Sequence, residues 1–380
     1  MSTPIRRSDL AITKSWAYLD NAGVSPVPRP VAEAMCGWAT GPGARGSLDF
    51  DRQSGRIEEV RALGARLMGV APEEVAFVKN TTEGLGFVAN GIEWSEGDRV
   101  VVPDGEFPST IYPWLALEDR GVVVDRVEPA PPSGSLRLEA FADAISRGAP
   151  PKVVATSWVQ YSKGWRSDLA ALSALAHDVG ALLCVDVIQG LGVVPSELGS
   201  WGCDFATADA HKWLLGPTGI GMLYVSRRCL DRLRPLEPGW ASVAHREQWE
   251  NLDLVFDDSA RRFEGGSANA CGVYGLGAAL EMLAGAGAQE IWRHVSSLCD
   301  HATASLEGAG YEVLSDRSEE GRSGIVTFSV GAGRDAVAAV GSLKERSIAC
   351  SARGGGIRIS PHGYNDLEDI DRLVSAISQF

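Results

Sequence analysis

The chain has no apolar run long enough to span a bilayer, and none follows the paired Arg6-Arg7 near its start. Neither a secretory signal nor a membrane-embedded protein is expected, and a cytoplasmic location is. Positive charge is in deficit: 35 Lys and Arg stand against 49 Asp and Glu, a formal net charge of −14. That balance argues against nucleic acid or an anionic membrane as partner, while leaving room for a locally positive pocket. The seven cysteines show neither metal-ligand nor paired spacing. A dispersed, odd count fits reduced thiols and no metal site. No Gly-x-Gly-x-x-Gly follows an early strand, so a nicotinamide enzyme is not indicated. There is no internal repeat and no low-complexity tract.

What is present is alternation. Short apolar runs at 74–78, 98–102, 121–128, 152–156, 181–188, 205–209 and 222–225 read as strands. Helical patterns at 31–38, 54–68, 85–90, 139–145 and 169–179 fall before and between them. This predicts an α/β protein built on βα units, with a mostly parallel sheet. Residues 43–53 read as a mobile loop, 129–135 as a loop and 226–262 as polar without a period. A Gly/Ala-rich helix at 273–283 ends in Gly285-Ala286-Gly287. Beyond it come a helix at 291–308, strands at 324–330 and 347–350, and a closing helix at 366–378. A chain of 380 residues suits one large and one small domain. The expected division is an arm over 1–17 packing with the small domain, a large domain over 18–285, and a small α+β domain over 286–380.

Polar groups gather just after the strands, at the edge where open α/β sheets bind ligands. Asp209-Ala210-His211-Lys212-Trp213-Leu214-Leu215-Gly216 puts an amine beside an apolar pair and a glycine turn. Desolvation at such a place lowers a Lys pKa and frees a neutral amine to attack a carbonyl, although an exposed loop lysine is the ordinary alternative. Asn80-Thr81-Thr82-Glu83-Gly84 is either a well-capped helix start or, with its free N–H groups and hydroxyls, a phosphate seat. Phe107, in Gly105-Glu106-Phe107-Pro108-Ser109, either stacks on a planar group or covers core. Asp186 ends a buried run, so it needs a cation or donor, or caps the next turn. Tyr18-Leu19-Asp20-Asn21-Ala22-Gly23 allows close backbone approach to a ligand, or is an ordinary turn. Arg358, flanked by Ile357 and Ile359, points away from their face, toward solvent or a carboxylate.

In combination these motifs are specific: Asn80-Thr-Thr-Glu-Gly, Asp186-x-x-Gln189, His211-Lys212 and Phe263-Glu-Gly-Gly-Ser. Over nearly its whole length the chain resembles the class V aminotransferases. That family carries pyridoxal 5′-phosphate (PLP) and includes cysteine desulfurases and isopenicillin N epimerase-like enzymes. The resemblance implies fold type I of the PLP-dependent transferases and a Lys212 aldimine. It implies that Asp186 pairs with the ring nitrogen, Gln189 bonds the ring oxygen, and Phe107 stacks where relatives often have His. Thr81, Thr82 and His211 would hold the phosphate, with Ser267 added from the neighbouring subunit of a homodimer with shared sites. Arg358 would bind the carboxylate of an α-amino acid, with Asn21, Ala22 and Trp158 beside the substrate. The segment Cys350-Ser-Ala-Arg-Gly-Gly-Gly-Ile-Arg358 is short and has no cysteine at the position of the desulfurases' persulfide loop. The expected reaction is therefore desulfurase-like C–S lyase chemistry by β-elimination, without a persulfide cysteine. A transaminase or an amino-acid epimerase is the alternative.

Overall fold

The computed structural model describes residues 3–130 and 134–378. Its strands, in chain order, are β1 (Ala17–Tyr18), β2 (Val75–Val78), β3 (Arg99–Pro103), β4 (Val123–Val127), β5 (Val153–Ser157), β6 (Leu182–Asp186), β7 (Phe205–Asp209), β8 (Gly221–Val225), β9 (Val326–Phe328), β10 (Ile348–Ala349), β11 (Ser351–Arg353) and β12 (Gly356–Ile359). Seven of them form the central sheet, in the order β2-β8-β7-β6-β5-β3-β4. Only β8 runs against its neighbours; the β3–β4, β3–β5, β5–β6 and β6–β7 pairs are parallel. The α/β expectation, with a mostly parallel sheet flanked by helices, holds.

The strands are apolar on both faces because each face has its own core. In β6, Leu183 and Val185 enter one cluster while Leu182 and Cys184 enter the other. β5 does the same, with Val154 on one side and Val153 and Ala155 on the other. A period of two with no polar face is what helices on both sides require.

Two stretches differ from the expectation. Residues 43–53 are helical: a 3-10 turn over Gly43–Asp49 leads into a helix at Phe50–Met68. Arg45 pairs with Asp49 at 3.1 Å within the turn, and Trp38 Nε1 donates to Gln53 Oε1 at 3.1 Å, which fastens the helix Phe50–Met68 to the helix Arg29–Thr40 before the turn. A further helix, Pro108–Leu115, lies in the segment after Phe107, started by a proline at its first position. Of the loop expected at 129–135, residues 131–133 lie outside the described residues.

The second half is held to the first by polar contacts. The hairpin β11–β12 pairs through β12 with β9 in a three-stranded sheet. Ile5 N donates to Gly363 O at 3.1 Å, and Arg7 pairs with Asp369 at 2.6 Å, so the N-terminal segment lies against the closing helix Leu367–Ile377. Within the first half, Glu264 accepts from buried Arg61 at 2.5 Å and from Phe77 N at 2.7 Å. That fixes the Phe263-Glu-Gly-Gly-Ser segment to β2. Among the described residues, no single helix is long and apolar enough to cross a membrane.

Candidate active site

The parallel strands deliver their last residues to one edge, and a cavity of about 300 Å³ lies there. Its lining includes Ala22, Thr81, Thr82, Phe107, Asp186, Gln189, His211, Lys212 and Arg358. Nine of the twelve residues singled out from the sequence therefore meet in one place.

Each is placed by local structure. Asn80 caps the helix Thr81–Gly91, its side chain accepting from Glu83 N at 2.9 Å. The cap turns the helix start toward the cavity, where unpaired N–H groups and a positive dipole end favour an anion. Thr81 Oγ1 accepts from Asp209 N at 3.0 Å, tying that helix start to the end of β7 and leaving its O–H free to donate. Thr82 Oγ1 donates to Ser109 Oγ at 2.8 Å. His211 Nδ1 lies 2.9 Å from Asp209 Oδ1.

Lys212 follows β7. Its amine has no hydrogen-bond or ion-pair partner among the described residues, though the residue is only 9% exposed. It sits 5.4 Å from the centroid of the Phe107 ring. Burial pushes the amine down to about 8, against the opposing pull of Asp186. A tight turn presents it: Leu215 N donates to Lys212 O at 2.9 Å, and Leu215 takes a left-handed φ of 58°. Such a conformation in a branched residue costs on the order of 1–3 kcal/mol and persists where the surroundings hold it. Here Leu215 is fully buried and the glycines beyond it complete the turn.

Asp186 is 4% exposed at the end of β6. It accepts from Ile188 N and from Thr110 Oγ1, each at 3.0 Å, and has no cation in hydrogen-bond contact. Burial raises its pKa, while its backbone partner and Lys212 oppose that. Gln189 is clamped at both ends: Oε1 accepts from Trp213 Nε1 at 2.8 Å, and Nε2 donates to Ala22 O at 3.0 Å. One Nε2 hydrogen is left over. Phe107 is 41% exposed, and its ring meets Tyr161 edge to face at 5.4 Å.

Three expected site residues lie elsewhere. Trp158 does not line the cavity. Ser157 ends β5 and Trp158, the next residue, turns to the opposite side, so the indole packs against Gly190 and the Trp201 ring, 5.3 Å away. Asn21 is fully buried and structural: it donates to Ser360 O and accepts from Ser25 Oγ and Tyr364 Oη, all at 2.8 Å. Ser267 lines a neighbouring cavity with Lys79, Glu83 and Phe87.

Tyr161, Ser109 and Arg353 line the site without having been singled out. Glu106, buried and not lining the cavity, lies next to Phe107 in the chain. Its carboxyl accepts from Ser157 N at 2.8 Å and Ser157 Oγ at 2.7 Å, with no cation in contact. Unlike Asp186, Glu106 stands three residues past the end of its strand, after Asp104 and Gly105, so no local pattern marks it as buried. Burial first, and the charge of Asp186 after it, push Glu106 up to about 7. An unfolded chain releases this proton near 4.5, so between these values the folded state binds more protons and stability falls as pH rises. At about 1.4 kcal/mol per pKa unit, the cost above pH 7 approaches roughly 3 kcal/mol. Glu106→Gln is expected to match the wild type near pH 4.5 and to exceed it in urea denaturation at pH 8. A less stable variant at pH 8 would refute this account.

The site suits a planar group bearing a phosphate and a protonated ring nitrogen. A helix start with hydroxyls offers the anion seat, Asp186 is a buried carboxylate without a cation, and Lys212 is a buried amine without a partner. Residues 17–373 match the family model for class-V aminotransferases. The chain belongs to this family of PLP-dependent enzymes, and its architecture is the fold-type I one expected from the sequence. A probable cysteine desulfurase of Methanothermobacter thermautotrophicus is 31% identical, the alignment covering all of this chain and 98% of that protein. An uncharacterized aminotransferase of Bacillus subtilis is also 31% identical, over 85% of this chain and 83% of its own length. The apo structure of a cysteine desulfurase from Thermococcus onnurineus superimposes with a TM-score of 0.89 at 27% identity, covering 98% of this chain and 96% of that one.

Proposed function

We propose that this chain holds PLP on Lys212 and cleaves the C–S bond of a cysteine-type α-amino acid by β-elimination, without a persulfide on any of its own cysteines. The observation that carries the reading is the unpartnered, buried amine of Lys212 in a cavity that also holds buried Asp186. In this reading Asp186 holds the ring nitrogen, Gln189 the ring oxygen, and Phe107 covers the ring face. Thr81, Thr82 and His211 hold the phosphate, and Ser267 reaches it from the second subunit of a homodimer. Arg358 binds the substrate carboxylate. The division at about residue 285 makes the site a cleft between a large and a small domain.

When bound, PLP supplies an electron sink that weakens the bonds at the substrate's Cα. The protein's part is to move protons and exclude water. An amine at about 8 takes up and returns a proton near neutral pH, which is what a base working at Cα requires. None of the seven cysteines lines the cavity. Cys350, the one nearest Arg358 in sequence, is buried, and burial pushes its thiol up to about 12. A thiol held protonated is a poor sulfur acceptor. This supports release of sulfur directly to solution.

The test is spectroscopy joined to product analysis. The purified protein is expected to show a visible PLP band that Lys212→Ala lacks. With L-cysteine, water is consumed and pyruvate, ammonia and sulfide appear in equal amounts. Alanine as the carbon product would indicate persulfide transfer instead. A 2-oxo acid that keeps the sulfur would indicate transamination, and racemised substrate epimerisation. Absence of the band after added PLP would overturn the cofactor assignment.

A further inference from the structure

The hairpin β11–β12 carries two arginines into the cavity, and they are not equivalent. Ser351 pairs across the hairpin with Arg358, and Arg353 with Gly356. Residues directly opposite, and residues two apart, share a face of a sheet, so Ser351, Arg353 and Arg358 face the same way. Gly354 and Gly355 form the turn at φ values of 61° and 85°, conformations that glycine adopts freely.

Asp20 meets this face from the N-terminal half. Its Oδ1 accepts from Arg358 Nη2 at 2.9 Å and its Oδ2 from Ser351 Oγ at 2.6 Å. Arg358 Nη1 donates to Tyr161 O at 2.7 Å. Arg358 is 3% exposed, its charge is balanced by Asp20, and three of its five N–H groups have no partner among the described residues, the fully buried Nε among them.

Arg353 has no such balance. Its one hydrogen bond among the described residues is to the carbonyl of its neighbour Ala352. It makes no ion pair among them, yet it lines the same cavity as Arg358, Lys212 and Tyr161. Arg353 is also close enough for its charge to lower the pKa of Arg358. One acid group on Arg358 would satisfy that arginine and leave Arg353 without an anion at the cavity wall.

We propose that Arg353 is a specificity residue that reads a second acid group, so the preferred ligand is an α-amino acid whose side chain carries a carboxylate or sulfinate. The assignment of the first carboxylate to Arg358 rests on the function proposed above. Arg353 is exposed, and a charge-assisted contact at an exposed arginine is worth about 1 kcal/mol, or roughly fivefold in affinity.

The test is calorimetric titration of the protein as purified, with L-alanine and L-serine as monoacids and L-aspartate and L-cysteine sulfinate as diacids. The wild type is expected to prefer the diacids roughly fivefold. Arg353→Gln should bring the preference to near unity, and Arg353→Lys should keep part of it by keeping the charge without the fork. Equal weakening of both ligand classes in Arg353→Gln would place both arginines on one carboxylate and overturn the proposal. No diacid preference in the wild type would overturn it as well. Calorimetry reads binding independently of the PLP band. A normal band without diacid preference thus refutes this inference alone, and diacid preference without a band refutes the cofactor reading alone.

Discussion

Lys212→Met is expected to lose turnover by at least about 10²–10⁴-fold, the usual worth of a positioned acid–base group, and yet to stabilise the cofactor-free protein. The two effects have one cause. The amine is buried without a partner, and burial lowers its pKa from about 10.5 to about 8. Below pH 8 the folded chain carries a charge it cannot solvate. At about 1.4 kcal/mol per unit the penalty is roughly 3 kcal/mol, less whatever Asp186 loses when its opposing charge is removed. The folded state releases its proton at about 8 while the unfolded chain keeps it to 10.5. Between these values the unfolded state binds more protons, so wild-type stability rises with pH. Urea denaturation of cofactor-free protein should therefore show the Met variant ahead at pH 7, with the gap closing toward pH 10.5. A wild type that is the more stable at pH 7 would mean the amine is not an unpaired buried charge. A reactive site held at a cost to stability is the usual trade between activity and fold.

The second large effect is expected at the next residue. Trp213→Ala should cost about 3–5 kcal/mol, the range for deleting a buried aromatic side chain. Trp213 is fully buried, and its ring lies 5.7 Å from the ring of His362. A methyl group at Gly324 would stand 2.8 Å from it, so the ring fills its space without slack. His362 Nε2 donates to Trp213 O at 2.9 Å, joining the lysine turn to the last segment of the chain. Burial holds His362 at about 4, so the imidazole is neutral and has one N–H to give. Trp213 Nε1 also fixes Gln189, and its loss leaves the amide oxygen of Gln189 unpaired. Trp213→Phe separates the two roles: it keeps most of the volume and removes only the hydrogen bond, for about 1–3 kcal/mol. Chemical denaturation of both variants checks this. A loss below 1 kcal/mol in Trp213→Ala would show that the ring is not part of the core.

Much of the site was legible because its residues follow strands. Asp186 closes an apolar run, Lys212 precedes a glycine turn, and Asn80 stands three residues before Glu83. All three are local patterns with local physical meaning, and all three lie where strand ends bring them together. Trp158 misled because one step along a strand turns a side chain to the other face. Its neighbour Ser157 turns toward Glu106 and the site, and Trp158 turns toward Trp201. Asn21 misled in another way. A short polar side chain in a turn of small residues reads as ligand-binding, but its three partners, Ser25, Ser360 and Tyr364, are supplied mostly from over 300 residues away. Glu106 carries no local mark of burial, because Asp104 and Gly105 separate it from its strand and the Ser157 that binds it comes from β5.

The sequence by itself determined the elements and their chemistry: apolar runs with a period of two, helices between them, and an amine, a carboxylate and a capped helix start at their ends. These are properties of neighbours in the chain, set by backbone geometry and the polarity of successive residues. Only the tertiary structure decided which groups face the cavity and which are already spent. Asp20 and Arg358 are 338 residues apart, and nothing in either stretch shows that they pair. Whether a charge is free or balanced depends on that pairing and on burial, and both are fixed by the packing of segments remote in sequence.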